Sequence, residues 1–236
     1  MSAHRSPLTA HGFFITGTDT GVGKTVVACA LLHALAARGL RAVGMKPVAA
    51  GAEPGPRGLI NDDVDRLAAA SNIAVPRNFA NPYCFAPPIA PHLAAHEEGR
   101  EIALEPIVQA YRKLAALADA VVVEGAGGLL VPLNAREDMA HLALRLALPV
   151  ILVVGMRLGC LNHALLTAEA ARTRGLKLAG WVANHVDATM ERADQNAEAL
   201  AARIGIRCIA RIEFADPPDA RRIATKLNLD SVMRDA

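Results

Sequence analysis

Apolar residues along this chain gather into short runs set between longer segments of mixed pattern. Runs at 12–16, 41–45, 120–123, 150–154, 178–183 and 207–211 read as strands. The run at 150–154 is continuous and β-branched, the form of a strand covered on both faces. Helical spacing between the runs predicts helices over 25–38, 62–70, 105–117, 138–147, from about 162 to 174, and over 189–204. Gly39 stands just past the first helix, where a left-handed residue closes it. Two connections, 46–61 and 76–92, are rich in Pro and Gly and read as long surface loops, and 212–236 is only weakly patterned. Strands alternating with helices imply right-handed crossovers and an α/β fold, a mainly parallel sheet with helices on both faces. With no internal repeat and no boundary in composition, the expectation is a loose tail over 1–11 and a single domain over 12–236.

In such a sheet ligands sit beyond the carboxyl ends of the strands. Five segments with polar or glycine-rich chemistry therefore converge on one edge: 17–25, 46–51, 124–128, 155–162 and 184–185. The first is Gly17-Thr-Asp-Thr-Gly-Val-Gly-Lys-Thr25, placed between a strand and a helix as a phosphate-binding loop must be. Its glycines let backbone N–H groups turn toward an anion, and the helix behind adds its positive end. Lys24 can then reach the outer phosphates, and the Thr25 hydroxyl can hold Mg²⁺. The loop is one residue longer than the common template, since its first glycine is Gly17 and not residue 18. Glycines needed only for a tight turn would explain Gly21 and Gly23, but not a Lys-Thr pair at the helix start.

Glu124 closes a wholly apolar strand, where an ionised group needs a cation or donors, so it is the leading carboxylate for a metal. Among Asp62, Asp63 and Asp65, one is expected to N-cap the following helix and another to be a solvated first-turn acid; spacing alone does not choose between them. Lys46 ends a strand at the same edge, either as a second site cation or as a surface lysine. Asn184 ends another, able to read a nucleotide base with its amide or to bond its own backbone.

Composition narrows the class. Hydrophobic residues make up 53% and aromatics 3%, so the core is built from Ala, Val, Leu and Ile. A net charge of +2 gives no electrostatic case for nucleic acid or an acidic membrane. Cys29, Cys84, Cys160 and Cys208 lie far apart, so reduced thiols in a cytoplasmic protein are expected, and the eight histidines lack zinc spacing. The longest apolar run, near 146–154, is too short to span a bilayer and is broken by Pro149.

Beside the loop 17–25 stand Lys46-Pro-Val-Ala-Ala-Gly51, Asn81-Pro-Tyr83 and Val123-Glu-Gly-Ala-Gly-Gly128. Further on come Leu148-Pro-Val-Ile-Leu-Val-Val-Gly155, Leu158-Gly-Cys-Leu-Asn-His163 and Ala179-Gly-Trp-Val-Ala-Asn184. On these segments together the chain resembles the dethiobiotin synthetase family of P-loop proteins. The resemblance implies an ATP-dependent, cytoplasmic ligase of biotin synthesis that joins 7,8-diaminopelargonate and CO₂ and closes a ureido ring. It places Lys24, Lys46 and Thr20 in catalysis, and Thr25, Asp63 and Glu124 on Mg²⁺. ATP would lie along Gly21, Val22, Gly23, Lys24, Thr25, Val26, Gly125, Ala126 and Gly127, with its base near Asn184, His185, Glu213, Phe214 and Ala215. The resemblance also implies a homodimer, with Ala50 on the substrate and Gly159, Cys160, Leu161 and Asn162 binding its carboxylate tail across the interface. Three positions depart from the family pattern: Ala50 replaces a hydroxyl residue, Gly21 stands where some members carry an acid, and 212–214 lacks the usual proline.

Two other readings compete. A dimeric switch ATPase of the partitioning type shares the architecture, but usually carries a second lysine inside the loop, and Thr18-Asp-Thr-Gly-Val22 has none. A cobyrinate-type amidotransferase synthetase needs a glutaminase domain that this length does not accommodate.

Overall fold

The computed structural model describes residues 11–56 and 58–233. The chain runs through β1 (His11–Gly17), α1 (Lys24–Ala37), β2 (Ala42–Met45), β3 (Val48–Ala49), β4 (Glu53–Gly55), β5 (Gly58–Ile60), α2 (Asp62–Ala70), α3 (Arg77–Ala80), β6 (Tyr83–Cys84) and α4 (Pro91–Glu97). It continues through α5 (Leu104–Leu117), β7 (Ala120–Gly128), α6 (Met139–Leu146), β8 (Val150–Met156), α7 (Cys160–Thr173), β9 (Leu178–His185), α8 (Ala193–Ile204), β10 (Cys208–Ile212), α9 (Ala220–Ala224) and α10 (Asp230–Met233). The tail expected over 1–11 lies outside the described residues except for His11, which opens β1.

Six strands form one parallel sheet in the order β10-β9-β8-β1-β7-β2. β1 thus lies between two strands that follow it by a hundred residues or more, and the chain leaves toward opposite sides of it. Such a switch point opens a crevice at the carboxyl end of β1. Strand alternation explains how both faces are filled. Phe13, Ile15, Ala120, Val122 and Ile151 pack against α1, α2 and α9, whereas Phe14, Val121, Val123 and Val150 pack against α5 and α6. Farther along that second face, Leu152, Val154 and Trp181 meet α7 and α8. Phe13 and Phe14 are both wholly buried, one on each face. Each such side chain contributes about 1.5–3 kcal/mol of transfer free energy.

Four sequence expectations are amended. The glycine run after Glu124 was expected to leave the sheet, yet β7 continues to Gly128, which pairs with Gly17. β1 advances from Ile15 to Gly17 while β7 advances from Glu124 to Gly128, so Gly125 to Gly127 bulge outward. The loops at 46–61 and 76–92 contain short elements, including a β4–β5 hairpin and a β3–β6 bridge. α8 begins at Ala193 and not at 189, because Asp187 ties back the Thr189 amide at 2.8 Å and Arg192 takes a left-handed φ of 59°. The weakly patterned C-terminus contains two short helices, α9 and α10.

Candidate active site

Alternation along two neighbouring strands brings the key charges together. Glu124 shares the face of Ala120 and Val122, and Lys46 follows Met45 on the face of Ala42. That face is the one covered by α1. Lys46 Nζ accordingly donates to Glu124 Oε1 at 2.6 Å and to Asp63 Oδ2 at 2.8 Å. Thr25, in the first turn of α1, sets Oγ1 2.7 Å from Asp63 Oδ1 and 3.0 Å from Glu124 Oε1, with its one hydroxyl proton shared between the two acceptors. Lys46 is 5% exposed and Glu124 1% exposed, so the pair sits well out of water.

Burial opposes the charge on Lys46, but Glu124 and Asp63 outweigh it and hold its pKa above the ordinary lysine value. Burial pushes the Glu124 carboxyl up, against the pull of Lys46, and the net direction is upward. Asp63 is penalised by burial too, yet Lys46 and Thr25 keep it below the usual carboxylate range. The acid that faces this cluster is therefore Asp63. The helix cap falls to none of the aspartates but to Asn61, whose side chain accepts from the Val64 N–H. Asp62 is exposed, and Asp65 pairs with Arg77 at 2.9 Å.

The loop is held from three sides. Lys24 Nζ donates to the Asp19 carbonyl at 2.9 Å, and burial followed by repulsion from Lys46 lowers its pKa to about 8. Asp19 accepts the Thr20 amide at 2.7 Å and pairs with Arg157, just past β8. Asn184 Nδ2 donates to the Val22 carbonyl at 2.9 Å. Gly23 begins α1 with φ 86°, and a Cβ there would stand 2.1 Å from Asn184 Nδ2, so only glycine fits both demands. No side chain caps α1, leaving its first N–H groups for an external anion.

Two clefts meet at Gly21, Gly23 and Val26. The larger, about 770 Å³, is lined by Thr20, Lys24, Thr25, Lys46, Ala50, Asp63, Glu124, Ala126 and Gly127 among others. The smaller, about 430 Å³, is lined by Asn184, His185, Glu213, Phe214 and Ala215 with the chain up to Lys226. The residues expected at the phosphates and metal thus line the larger cleft, and those expected at the base line the smaller. Some stand apart. Gly125, the first residue of the bulge, is buried against Phe14, and Val22 packs into the core, so its side chain is not presented to either cleft. Gly159, Cys160, Leu161 and Asn162 line neither cleft of this chain; Gly159 precedes α7, and Cys160 is buried against β8 and β9.

The donor set suits a hard divalent cation. Thr25 Oγ1 stands within hydrogen-bond distance of both Asp63 and Glu124, so three oxygens of the right kind gather there, and Glu124 Oε2 is buried with no hydrogen-bond partner among the described residues. An orphaned, buried carboxylate oxygen calls for a cation or a donor to complete it.

A family described as an AAA domain matches residues 11–221. An ATP-dependent dethiobiotin synthetase of Nitrosospira multiformis is 55% identical over 92% of this chain and 95% of its own. The chain belongs to the ATP-dependent dethiobiotin synthetase family. A relative of the same description from Aromatoleum aromaticum is 52% identical over 92% of this chain and 96% of its own. Among solved structures, the cell division ATPase MinD of Pyrococcus furiosus superposes with a TM-score of 0.53 at 16% identity, covering 97% of this chain and all of that one. The signal recognition particle receptor FtsY of Elizabethkingia anophelis gives 0.51 at 17% identity, covering 98% and 68%. At those identities the likeness concerns the P-loop fold, which the family shares. Beyond the family's own motifs, several charged residues at the site escaped the sequence reading, among them Asp216, Asp219, Arg222 and Lys226 on the smaller cleft. Arg66 lines the larger cleft and Arg157 grips the loop through Asp19; nothing in their spacing marks either one.

Proposed function

We propose that this chain makes dethiobiotin from 7,8-diaminopelargonate, CO₂ and ATP, within a single domain beginning near residue 12. The observation that carries the reading is the partly buried cluster of Thr25, Lys46, Asp63 and Glu124 beside a phosphate-binding loop, in a member of this family. One amine of the substrate adds to CO₂ and loses a proton, giving a carbamate. The carbamate oxygen takes the γ-phosphoryl group of ATP, releasing ADP. The second amine attacks the same carbon, expels phosphate, loses a proton and closes the five-membered urea.

Each step needs what the residues supply. A carbamate is a poor electrophile until one oxygen leaves as phosphate, and bringing it to ATP sets anion against anion. Lys24 reaches the outer phosphates, and Lys46 meets the carbamate and the transferring group, both in a site shielded from water. Thr20 and the N–H groups of residues 21–26 orient the phosphate chain. Thr25, Asp63 and Glu124 would hold Mg²⁺, which supplies charge neutralisation to the phosphates. Asn184 Nδ2 is committed to Val22, which leaves its oxygen to accept from the adenine amine, with His185, Glu213, Phe214 and Ala215 enclosing the base. Gly125 to Gly127 pass beneath the phosphates, and Ala50 borders the diamine.

The family resemblance extends to a homodimer, with 159–162 of one copy receiving the substrate carboxylate of the other at the start of α7. Leu158, Leu166 and Leu130 are 97%, 61% and 48% exposed around that segment, an apolar surface consistent with a second copy. The same resemblance puts the enzyme in the cytoplasm; among the described residues no helix is long and apolar enough to cross a membrane. The test is ATP turnover with and without the diamine and bicarbonate, with mass detection of product. Phosphate release that depends strictly on the diamine and yields the ring-closed urea supports the reading. Turnover stimulated only by DNA, lipid or another protein overturns it.

A further inference from the structure

We propose that Arg66 is a third phosphate-binding cation, contacting the nucleotide from α2. Five charged side chains line the larger cleft: Lys24, Lys46, Asp63, Arg66 and Glu124. Lys46 is spent twice, on Asp63 at 2.8 Å and Glu124 at 2.6 Å. Lys24 rests on the Asp19 carbonyl. Arg66 alone among the five makes no hydrogen bond or ion pair among the described residues. The acids beside it in sequence do not claim it: Asp65 pairs with Arg77, and Asp62, four residues earlier, is not within ion-pair distance.

Position supports the role. Arg66 lies three residues after Asp63 on α2, hence on the same helix face. Its charge is felt at Cys29, one turn past Thr25 on α1, where it acts against the upward push of burial on the thiol. Arg66 lines the larger cleft together with Lys24, Thr25 and Val26 of the first turn of α1, where the loop would deliver the phosphates. The two lysines and two carboxylates balance, so the cleft's own surplus of one positive charge comes from Arg66. A triphosphate brings about four negative charges, of which a divalent cation offsets half. An exposed arginine with a planar fork of donors, held by nothing else, suits the remainder.

The inference rests on the larger cleft being the phosphate site, and the experiment separates the two. Dissociation constants for MgATP are measured by calorimetry on the intact protein and on R66Q, R66K and K24A, each checked for an unchanged melting temperature. Steady-state KM for ATP and for the diamine is measured in parallel. R66Q is expected to weaken MgATP about tenfold, equal to about 1.4 kcal/mol, while the diamine KM stays within about twofold. R66K is expected to restore most of the loss, since it returns the charge. A MgATP constant for R66Q within about twofold of the parent, or a loss confined to the diamine KM, overturns the role of Arg66. If K24A also binds MgATP like the parent, the phosphate-site reading itself falls. If K24A is crippled and R66Q is not, only Arg66 is refuted.

Discussion

Replacing Lys46 with Met tests the buried cluster directly. Methionine nearly matches the lysine stem in volume, so the packing loss is small and the change is mainly electrostatic. It strands Glu124 at 1% exposure without a cation, while Asp63, with a side chain 40% exposed, can turn to water. Removing one partner of a buried pair costs about 3–5 kcal/mol, a large share of the about 5–15 kcal/mol that holds a domain together. The penalty has a pH signature. The Glu124 carboxyl is already raised above its ordinary value, and losing Lys46 raises it further. Between the unfolded and folded values, native Glu124 holds a proton that the unfolded chain has released, so stability falls as pH rises through that window. Urea unfolding in EDTA buffer should show the largest gap from the parent at about pH 8 and a clearly smaller one near pH 5.5, with unchanged m. Lys46→Met combined with Glu124→Gln should recover most of the loss, because no charge remains stranded. A gap below about 1 kcal/mol at pH 8, or one of equal size at both pH values, would refute this account of the cluster.

Three further outcomes follow from the geometry. Gly23→Ala forces a non-glycine residue to φ 86° and drives Cβ into Asn184. It should weaken MgATP at least about tenfold while lowering stability by about 1–2 kcal/mol, read by calorimetry and urea titration. The Cys29 thiol is pushed up to about 12, mainly by burial, and Cys84 and Cys208 are also raised. Because a raised pKa means less thiolate, Ellman's reagent at about pH 8 should modify the native protein slowly and all four thiols rapidly after denaturation; fast labelling of native Cys29 would contradict its burial. Leu166→Asp places a charge on the exposed apolar residue of α7 that shares a shallow cleft with Leu130. Sedimentation should then show a monomer, with diamine KM raised and MgATP affinity kept; an unchanged dimer removes this face from the interface.

The framework was legible because apolar runs and their spacing are local signals. All six strands of the sheet lie where the runs predict them, and β1 to α1 follows the loop motif. The glycine run after Glu124 misled because glycine reads as a break, whereas the pairing of Gly17 with Gly128 is a long-range fact. Choosing Asp63 over Asp62 and Asp65 was beyond spacing, since the deciding contacts reach back to Thr25 and Lys46 in other elements. One clue was present but unread. Counting alternate residues back from Lys46 to Ala42 and from Glu124 to Ala120 puts both charges on one face of neighbouring strands. Arg66 had no such clue; only the lining of the cleft reveals it.

The place of β1 between β7 and β8 also bears on how the molecule is made. A ribosome delivers β1 and its glycine loop first, but both flanking strands and the segment that walls the smaller cleft emerge much later. A nascent chain that has displayed only its motif owns no crevice to go with it. Capture of ATP should therefore appear near the end of synthesis, as a sign that the last long-range pairings have closed.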